Sequence, residues 1–462
     1  MEETMHIIIV GCGKVGRTLA EQLQEEEIDL TLIDTVEKTI NDVTEDIDAM
    51  GIVGNGASIN TLMEAGISTA DILIAVTASD ELNLLCCLIA QKTGSCQTIA
   101  RVRNPIYSQE IGFIKEKLGI SMIINPEYAA AQEISRLLRF PAAIKIDPFS
   151  RGKVELLKFK VLPEFHLDSM SISRITEKFR CDILFCAVEN KDELTIPGGD
   201  YIIHDGDFVS IIATPQNTAL FFKKIGFRTN QVKNALIIGG GTISYYLAKT
   251  LIDTRIHVKI IEKDENRCEE LCDCLPKVTV IHGDATDHDL LSEEGVENVD
   301  AFVALTGIDE ENIILSLYAK SQGAGKIIAK VNEDRRARME ADFGIDSIVS
   351  AKTATADAIL SYVRARKNSQ KSANVETMYQ LVDEKVEALE FIVKNETNYT
   401  GITLKDLKVK PNNLIACIVR KRQIIIPNGN DSIEAGDSVI VVTMEKHLED
   451  LSDIIAQVQQ DE

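Results

Sequence analysis

The amino-acid sequence predicts an α/β protein formed by tandem duplication of a two-lobe unit. Each unit has a doubly wound parallel-sheet lobe followed by a small α+β lobe. Three observations predict this fold. Residues 6–34 run as strand, glycine turn, helix, strand and acid, the same order returns 228 residues later, and a strand-rich segment closes each half.

The first glycine turn predicts a dinucleotide-binding fingerprint. An apolar strand stops at the turn GCGKVG (residues 11–16), a helix with apolar spacing follows, and a second strand ends on Asp34. In this context Gly11 allows a tight turn, Gly13 lets the backbone approach a pyrophosphate, and Gly16 lets the helix sit close to the strand. The free N–H groups at the helix N-terminus then face the phosphates. We predict a Rossmann-like nucleotide site, with a vestigial, empty Rossmann fold as the alternative.

Asp34 bears on the identity of the nucleotide. Its carboxylate would accept hydrogen bonds from the hydroxyls of a ribose, and its charge repels a 2′-phosphate, which argues against NADP. It does not separate NAD from ATP or ADP, because their adenosine ribose carries the same hydroxyls.

After Asp34 the pattern keeps alternating between helices and strands. Helices are predicted at 36–47, 58–65, 78–92, 106–118 and 126–139, and strands at 49–53, 71–76, 98–102 and 122–124. Ser58 caps one of these helices and Pro126 opens another. Strands that alternate with helices in this way form a parallel sheet covered on both faces.

Composition changes after the first lobe. Residues 153–214 are strand-rich, with a short helix at 171–179, and their last part, IPGGDYIIHDGDFVSIIAT, is matched late in the chain by IPNGNDSIEAGDSVIVVT. A polar linker is expected at 366–374. The predicted domains are a first Rossmann-like lobe (1–140), a first small α+β lobe (141–228), a second Rossmann-like lobe (229–366) and a second small lobe (367–462).

Charge and composition exclude several classes of partner. The 462 residues carry 72 acidic and 49 basic side chains, for a formal charge of −23, which disfavours nucleic acid or an anionic membrane surface as a direct ligand. The N-terminus lacks the basic region of a signal peptide, and no apolar run is long enough to span a membrane. We expect a soluble, cytoplasmic protein. Cysteines such as Cys86, Cys87, Cys186 and Cys417 fall within strands and helices, as buried thiols do in a reducing compartment.

The second half carries an altered fingerprint. In GGGTIS (residues 239–244) Ser244 stands where the third glycine is expected, and Glu262 supplies the acid. Serine is small, so the helix can still pack close to the strand. We predict a second nucleotide pocket, with a degenerate pocket as the alternative.

Further candidates follow strand ends in both halves. Side chains after the third strand lie where an adenine would bind, and those after the fourth strand lie over the crevice. A basic side chain at the end of the fifth strand can reach a phosphate. Turn and helix-cap interactions explain the side chains after the third and fourth strands equally well. For the basic side chains, the alternative is a solvated position at the rim of the crevice. The predicted cofactor-binding residues are Gly11, Cys12, Gly13, Lys14, Val15, Gly16, Asp34, Asn55, Gly56, Thr77, Ala78, Arg101, Gly239, Gly241, Thr242, Ile243, Ser244, Glu262, Asp284, Ala285, Thr306 and Lys330.

Other motifs predict less. Residues 11–18, GCGKVGRT, come within one substitution of a P-loop, but Arg17 stands where that loop needs Lys, so a P-loop NTPase is disfavoured. Cys268, Cys272 and Cys274 do not have a usual zinc spacing, and helical packing is the better interpretation. We therefore predict no metal. In the small lobes, acids such as Glu155, Glu164 and Asp168 are more simply read as solvated than as cation ligands.

Catalytic signals are weak. A dehydrogenase needs an acid or base beside the nicotinamide and a sizeable substrate domain. The seven histidines share no place in the two halves, and the small lobes carry no GxSxG or HExxH motif. Two nucleotide folds without visible chemistry indicate a sensor, with no catalytic residue predicted, and a soluble NAD-dependent oxidoreductase remains the alternative.

The chain resembles the TrkA family of Trk-type potassium uptake regulators. The resemblance covers roughly residues 5–457 and rests on GCGKVG with Asp34, the turns GNGAS and GDATD, TASDELN and TGIDEEN, IARVRNP, and the paired Gly-Asp hairpins of the small lobes. That family joins two nucleotide-binding lobes (RCK-N or KTN) to two small C-terminal lobes (RCK-C). This chain departs from a perfect repeat at Ser244, and at Asn332 where the first half has Arg103.

The resemblance implies a function that the residues alone do not. It implies a cytoplasmic, peripheral subunit on the inner face of the cell membrane, which assembles with copies of itself into a ring. Its partner would be a membrane potassium transporter subunit similar to TrkH or KtrB, gated according to bound NAD(H) or ATP/ADP. No nucleic acid and no direct membrane insertion are expected. A channel subunit in place of the transporter is a further alternative.

Overall fold

The structure is a computed structural model that describes residues 4–26, 28–190, 193–226, 232–332, 344–370, 375–382, 386–421, 423–445, 448 and 450–455. In the first Rossmann lobe the elements are β1 (His6–Val10), α1 (Lys14–Gln24), β2 (Asp29–Asp34), α2 (Glu37–Thr44), β3 (Met50–Val53), α3 (Ile59–Glu64), β4 (Ile72–Ala75), α4 (Asp80–Thr93), β5 (Gln97–Arg101), α5 (Pro105–Gln109), α6 (Ile111–Leu118), β6 (Met122–Ile124) and α7 (Pro126–Arg139). In the first small lobe they are β7 (Ala143–Phe149), β8 (Val154–Lys160), β9 (Met170–Ser171), α8 (Ile172–Phe179), β10 (Ile183–Asn190), β11 (Glu193–Thr195), β12 (Ile202–Ile203), β13 (Phe208–Ala213) and α9 (Pro215–Lys224).

The second half repeats this order. Its Rossmann lobe contains β14 (Asn234–Ile238), α10 (Thr242–Asp253), β15 (His257–Glu262), α11 (Glu265–Cys274), β16 (Thr279–His282), α12 (His288–Glu293), β17 (Ala301–Ala304), α13 (Asp309–Ser321), β18 (Lys326–Lys330), β19 (Ser347–Val349) and α14 (Ala351–Gln370). Its small lobe contains β20 (Val375–Val382), β21 (Val386–Ile392), β22 (Asn413–Arg420), β23 (Gln423–Ile425) and β24 (Ser438–Thr443). The chain divides into two compact units, one of residues 1–135, 234–336 and 348–360, the other of residues 136–233, 337–347 and 361–462.

The first unit contains two doubly wound sheets of the same topology. Their strand orders are β3-β2-β1-β4-β5-β6 and β16-β15-β14-β17-β18-β19. The central strand β1 pairs in parallel with β2 and β4, and β14 pairs in parallel with β15 and β17. The strand order reverses beside each central strand, which opens a crevice at the carboxyl ends, where ligands bind in such sheets. The predicted fold class and duplication are confirmed.

Apolar strands hold each sheet between helices. Ile7, Ile8 and Ile9 in β1 are completely buried, so both faces of the central strand are covered. A strand buried on both faces needs a continuous apolar run, and this explains why residues 6–10 do not alternate. The helices α1 and α4 cover the sheet with their apolar faces, as Leu19 and Ala90 are also completely buried.

Two predictions about local structure are wrong. The single helix predicted at 106–118 is two helices, α5 and α6, because the chain leaves the helical conformation at Glu110 (φ −107°, ψ 11°). Gly112 lowers the helix propensity beside this break. The linker predicted at 366–374 is helical as far as Gln370, where α14 ends. Residues 371–374 lie outside the described residues.

The second unit contains two antiparallel sheets, in agreement with the predicted small α+β lobes. One has the order β11-β10-β13-β8-β7, with β12 and β9 paired separately, and the other has the order β20-β21-β24-β22-β23. An apolar cluster joins the two sheets, with Phe149 and Leu156 from the first and Ala388 and Ile440 from the second. The clustered side chains form a shared core for the second unit.

A buried ion pair holds the hairpin of the second small sheet. The Asp437 carboxylate is fully buried and accepts hydrogen bonds from the Arg420 Nε and Nη2 atoms at 2.9 and 2.8 Å. It also accepts the backbone N–H of Glu434 at 2.7 Å. The equivalent acid of the first small lobe, Asp207, accepts the His204 N–H, and Asn190 ends β10 where Arg420 ends β22.

We expect Arg420→Asn to lower the free energy of unfolding by about 2 kcal/mol, because it leaves a buried carboxylate without its cation. The matched control is Lys117→Asn, which removes an exposed pair with Glu116 (3.4 Å) and should change stability by less than about 0.5 kcal/mol. Urea denaturation of both variants tests this. Equal losses would contradict a special contribution from the buried pair.

Candidate functional site

A cavity of about 790 Å³ lies at the carboxyl ends of the first Rossmann sheet. It brings together most of the residues predicted in the first half and several from the second. The predicted residues that line it are Gly11, Gly13, Lys14, Val15, Asp34, Asn55, Gly56, Thr77, Ala78, Arg101, Gly241, Thr242, Ile243 and Lys330.

The glycine turn forms the floor of the cavity. Gly11 has φ +99°, and a Cβ there would stand 2.9 Å from the Thr77 nitrogen. A Cβ on Gly16 would stand 1.9 Å from the Gly11 carbonyl oxygen, so α1 approaches the turn more closely than any side chain allows. Gly13 is the N-cap of α1 without a side-chain cap, and no atom lies within 4 Å of its Cβ position. The first N–H groups of α1 are thus available to an anion.

Asp34 is held at the crevice by backbone donors. One carboxylate oxygen accepts the Cys12 N–H at 2.8 Å and the other accepts the Val36 N–H at 3.0 Å. A carboxylate accepts about four hydrogen bonds, so acceptor capacity remains for ribose hydroxyls. Burial, and then the charge of Asp34, raise the pKa of the Cys12 thiol to about 12, so this thiol is neutral at physiological pH. Cys12 therefore contributes its backbone to the turn.

Two side chains that the sequence argument missed fix the strand ends. The fully buried Asn83 accepts the Thr77 N–H at 2.8 Å and donates to the Arg101 carbonyl at 2.9 Å. Asp80 accepts the N–H groups of Arg103 and Asn104, both at 2.8 Å. The second lobe repeats these contacts, because its Asn312 and Asp309 bond the corresponding strand ends. The segments TASDELN and TGIDEEN share this Asp and this Asn, and that repetition could have predicted their structural role.

Several basic side chains line the cavity. Arg101 lies 3.3 Å from Glu127, and its buried Nε atom has no hydrogen-bond partner among the described residues. Burial lowers the pKa of Arg101, and Glu127 opposes this shift. Burial also lowers the pKa of Lys330, Asp309 and Glu127 oppose this shift, and the charge of Lys14 adds to it. An anionic group in the cavity would meet these cations at a site where solvent screens them weakly.

The second Rossmann lobe completes the cavity. The lining includes the N-terminus of α10, where Gly241 is an N-cap without a side-chain cap, and Lys330 and Asn332 at the end of β18. Tyr246 on α10 fixes this arrangement, because its hydroxyl donates to the Arg103 carbonyl at 3.0 Å and accepts from the Asn125 amide at 2.9 Å. Two helix N-termini therefore face one cavity.

The second fingerprint has different chemistry. Glu262 accepts the N–H groups of Gly240 and Asp264, as Asp34 does in the first lobe, while the hydroxyl of the buried Ser244 donates to the Gly239 carbonyl. Lys263 pairs with Asp284 at 2.6 Å and lowers the pKa of that carboxyl to about 2. The predicted residues that belong to this second crevice and do not line the cavity are Gly239, Ser244, Glu262, Asp284, Ala285 and Thr306. In the first half, Cys12 and Gly16 lie behind the lining.

Within the part of the chain that the structure describes, no three His, Cys, Asp or Glu side chains could together hold a metal ion. Among the described residues, no helix is both long enough and apolar enough to cross a membrane. The cysteines expected to be buried, including Cys86 and Cys417, are buried free thiols.

Comparisons with known proteins agree along most of the chain. A family model for the TrkA-N domain matches residues 7–126 and again 235–351, and one for the TrkA-C domain matches residues 388–456. The Trk system potassium uptake protein TrkA homolog 1 of Methanosarcina mazei is 32% identical over 95% of this chain and 97% of its own. The Trk system potassium uptake protein TrkA of Haemophilus influenzae is 31% identical over 96% of each. Among solved structures, the GsuK channel bound to NAD has a TM-score of 0.64 at 18% identity and covers 96% of this chain and 78% of its own, which supports the fold.

We expect Gly16→Ala to lower the free energy of unfolding by about 2–3 kcal/mol, because its methyl group would overlap the Gly11 carbonyl. Gly13→Ala is the matched control, since its Cβ meets open space, and stability should change by less than about 0.5 kcal/mol. The methyl group that Gly13→Ala adds narrows the approach of a ligand to the N-terminus of α1, so this variant should bind ADP about tenfold more weakly. Thermal melting and ADP titration measure the two effects. A Gly13→Ala protein as unstable as Gly16→Ala would refute this geometry.

Proposed function

The chain belongs to the TrkA family of Trk system potassium uptake proteins, and from this premise we propose that it is the nucleotide-sensing regulatory subunit of a potassium transporter. It binds NAD(H) or ATP/ADP in its Rossmann crevices and gates the membrane subunit by a change in the arrangement of its lobes. The protein acts as a homo-oligomeric ring on the inner face of the cell membrane, held there by a transporter subunit similar to TrkH or KtrB. The four-domain division at 140, 228 and 366 and the predicted cofactor-binding residues are part of this proposal.

The composite cavity is the observation that carries the proposal. Its floor comes from the first lobe, with Gly13 and Asp34, and its wall includes Thr242 and Lys330 from the second. A ligand that contacts both lobes favours the arrangement in which all its contacts are made. It can shift the equilibrium between arrangements only by its difference in affinity for them.

The charge of the cavity favours a nucleotide with a phosphate chain. Lys14, Arg101, Arg103 and Lys330 line it, together with Asp34. A pyrophosphate at the N-terminus of α1 would reach these cations, and the Asp34 carboxylate would bind the ribose hydroxyls. A 2′-phosphate would meet that carboxylate, so NADP is disfavoured. The GsuK channel has been solved with NAD and with ADP, and both ligands fit this pattern.

The oxidoreductase alternative has less support. Among the described residues that line the cavity there is no histidine, cysteine or tyrosine to transfer a proton beside a nicotinamide. The carboxylate of Glu127 pairs with Arg101. A binding role therefore agrees better with the lining than a catalytic role.

Calorimetric titration of NADH, NAD, ATP and ADP tests the proposal. We expect Asp34→Ala to weaken binding of the preferred nucleotide to the first site by about tenfold or more, because two charge-assisted hydrogen bonds to the ribose are lost. Glu262→Ala should affect only a second, separable binding event. NADH absorbance, followed during the titration, should stay constant. Consumption of NADH would favour the oxidoreductase, and wild-type binding in both variants would refute the assigned pockets.

A second experiment examines whether both lobes hold one ligand. Lys330→Ala should weaken binding to the first site by about tenfold, although Lys330 belongs to the second lobe, because a partly buried cation beside the phosphates is lost. Lys249→Ala is the matched control, since it removes an exposed lysine of the same lobe that does not line the cavity. If Lys330→Ala and Lys249→Ala bind ADP equally well, the ligand does not bridge the lobes.

A further inference from the structure

The open edge of the first Rossmann sheet is apolar. Among the described strands, β3 ends the sheet and pairs with β2 on one side. Five large apolar side chains on or beside it are more than half exposed: Val36 (52%), Met50 (53%), Val53 (52%), Ile59 (57%) and Met63 (51%). We call these five residues the β3 apolar edge. Exposed apolar side chains grouped in this way mark interaction surfaces more often than isolated ones do.

The β3 apolar edge flanks the strand on both faces of the sheet. Ile52 belongs to the same buried cluster as Leu62 of α3, so Met50, two residues earlier, points to the face that α3 covers. A Cβ on Gly51 would contact Ile40 of α2, so Val53 points to the other face. A strand added beside β3 would alternate its side chains between these two apolar walls.

The second Rossmann lobe provides an internal comparison. Two features identify the equivalent residues of the two lobes. In the strand register Val53 pairs with Asp34 as His282 pairs with Glu262, and the helices α3 and α12 begin at matching positions. All five equivalents are exposed and polar: Asp264, Thr279, His282, His288 and Ser292. The same fold therefore does not require apolar side chains at this edge.

Charge around the edge indicates the chemistry of a partner. Residues 36–64 carry six acidic side chains and one basic side chain. Glu37, Asp48 and Glu64, which lie within two residues of the apolar residues in sequence, are exposed. A second copy of this surface would bring like charges together, whereas a basic segment would find opposite charge. Cytoplasmic loops of membrane proteins carry an excess of Lys and Arg.

We propose that the β3 apolar edge binds an extended, apolar and basic cytoplasmic segment of the membrane potassium transporter subunit. The segment adds to the sheet as a strand beside β3 and places alternate side chains on the two apolar walls. The class of partner rests on the proposed function, whereas the surface rests on the comparison of the two lobes. Thr35 and Gly54, which adjoin Val36 and Val53 in sequence, line the nucleotide cavity, so the docking surface adjoins that cavity.

Binding to the Trk-type membrane subunit of the same organism, embedded in nanodiscs, tests this proposal by biolayer interferometry of the full chain. Met50→Lys should weaken binding by about tenfold or more, because it adds a like charge to the partner's charge, and Met50→Glu should weaken it less. The matched controls Thr279→Lys and Thr279→Glu, at the equivalent place in the second lobe, should bind as the wild type does. Melting temperature and ADP titration check that every variant is folded and binds ligand.

Four outcomes would overturn the proposal. In the first, Met50→Lys binds the membrane subunit with wild-type affinity, and in the second, the Met50 and Thr279 variants lose equal affinity. In the third, the wild type binds empty nanodiscs. In the fourth, light scattering shows that Met50→Lys lowers the mass of the oligomer. The third would assign the surface to lipid and the fourth to a second copy. Failure of the proposed function can be distinguished from failure of the docking proposal. In the former case the wild type would bind no nucleotide, whatever affinity the Met50 variants have for the membrane subunit.

Discussion

The contact between Gly16 and the Gly11 carbonyl sets the geometry of the proposed nucleotide site. A Cβ at position 16 would stand 1.9 Å from that oxygen, so only glycine lets α1 begin this close to the end of β1. The same approach brings the free N–H groups of the helix to the crevice, which Gly13 and Asp34 both line. In the second lobe Ser244 has a Cβ at the equivalent place, and its hydroxyl bonds the Gly239 carbonyl. The turn and helix must be farther apart there, which is a physical reason for the two crevices to differ.

Much of the fold could be predicted because its determinants are local. The glycine turn, the acid after β2 and the proline that begins α7 each act within a few residues, and β6 and α7 have the bounds that were predicted. The duplication was visible for the same reason, since both halves repeat these short signals. The break at Glu110 was missed because it depends on a backbone conformation that no strong breaker announces.

The composite nature of the cavity could not be predicted, because it depends on packing between distant parts of the chain. Gly241, Thr242 and Ile243 were predicted for a second pocket, yet they line the cavity of the first lobe. Their placement follows from Tyr246, which bonds Arg103 and Asn125 more than a hundred residues away. A tyrosine on a helix carries no mark of such a contact in sequence, and the equivalent residue of the first half is Thr18.

Electrostatics links the ligand to the arrangement of the lobes. Burial lowers the pKa of Lys330, Asp309 and Glu127 oppose this shift, and Lys14 lowers the pKa further. Glu127 and Lys14 belong to the other lobe, so that lobe places both a carboxylate and a cation near Lys330. Burial likewise lowers the pKa of Arg101, whose Nε atom has no hydrogen-bond partner. An anion between the cations would be attracted by all of them, and the attraction is larger in the arrangement that brings them closest to it. By linkage, any partner that favours this arrangement must also tighten the binding of the anion, and the anion must tighten the binding of the partner by the same factor. A cavity that draws cations from two lobes is therefore suited to sensing a phosphate-bearing ligand, whether or not any bond of that ligand is ever broken.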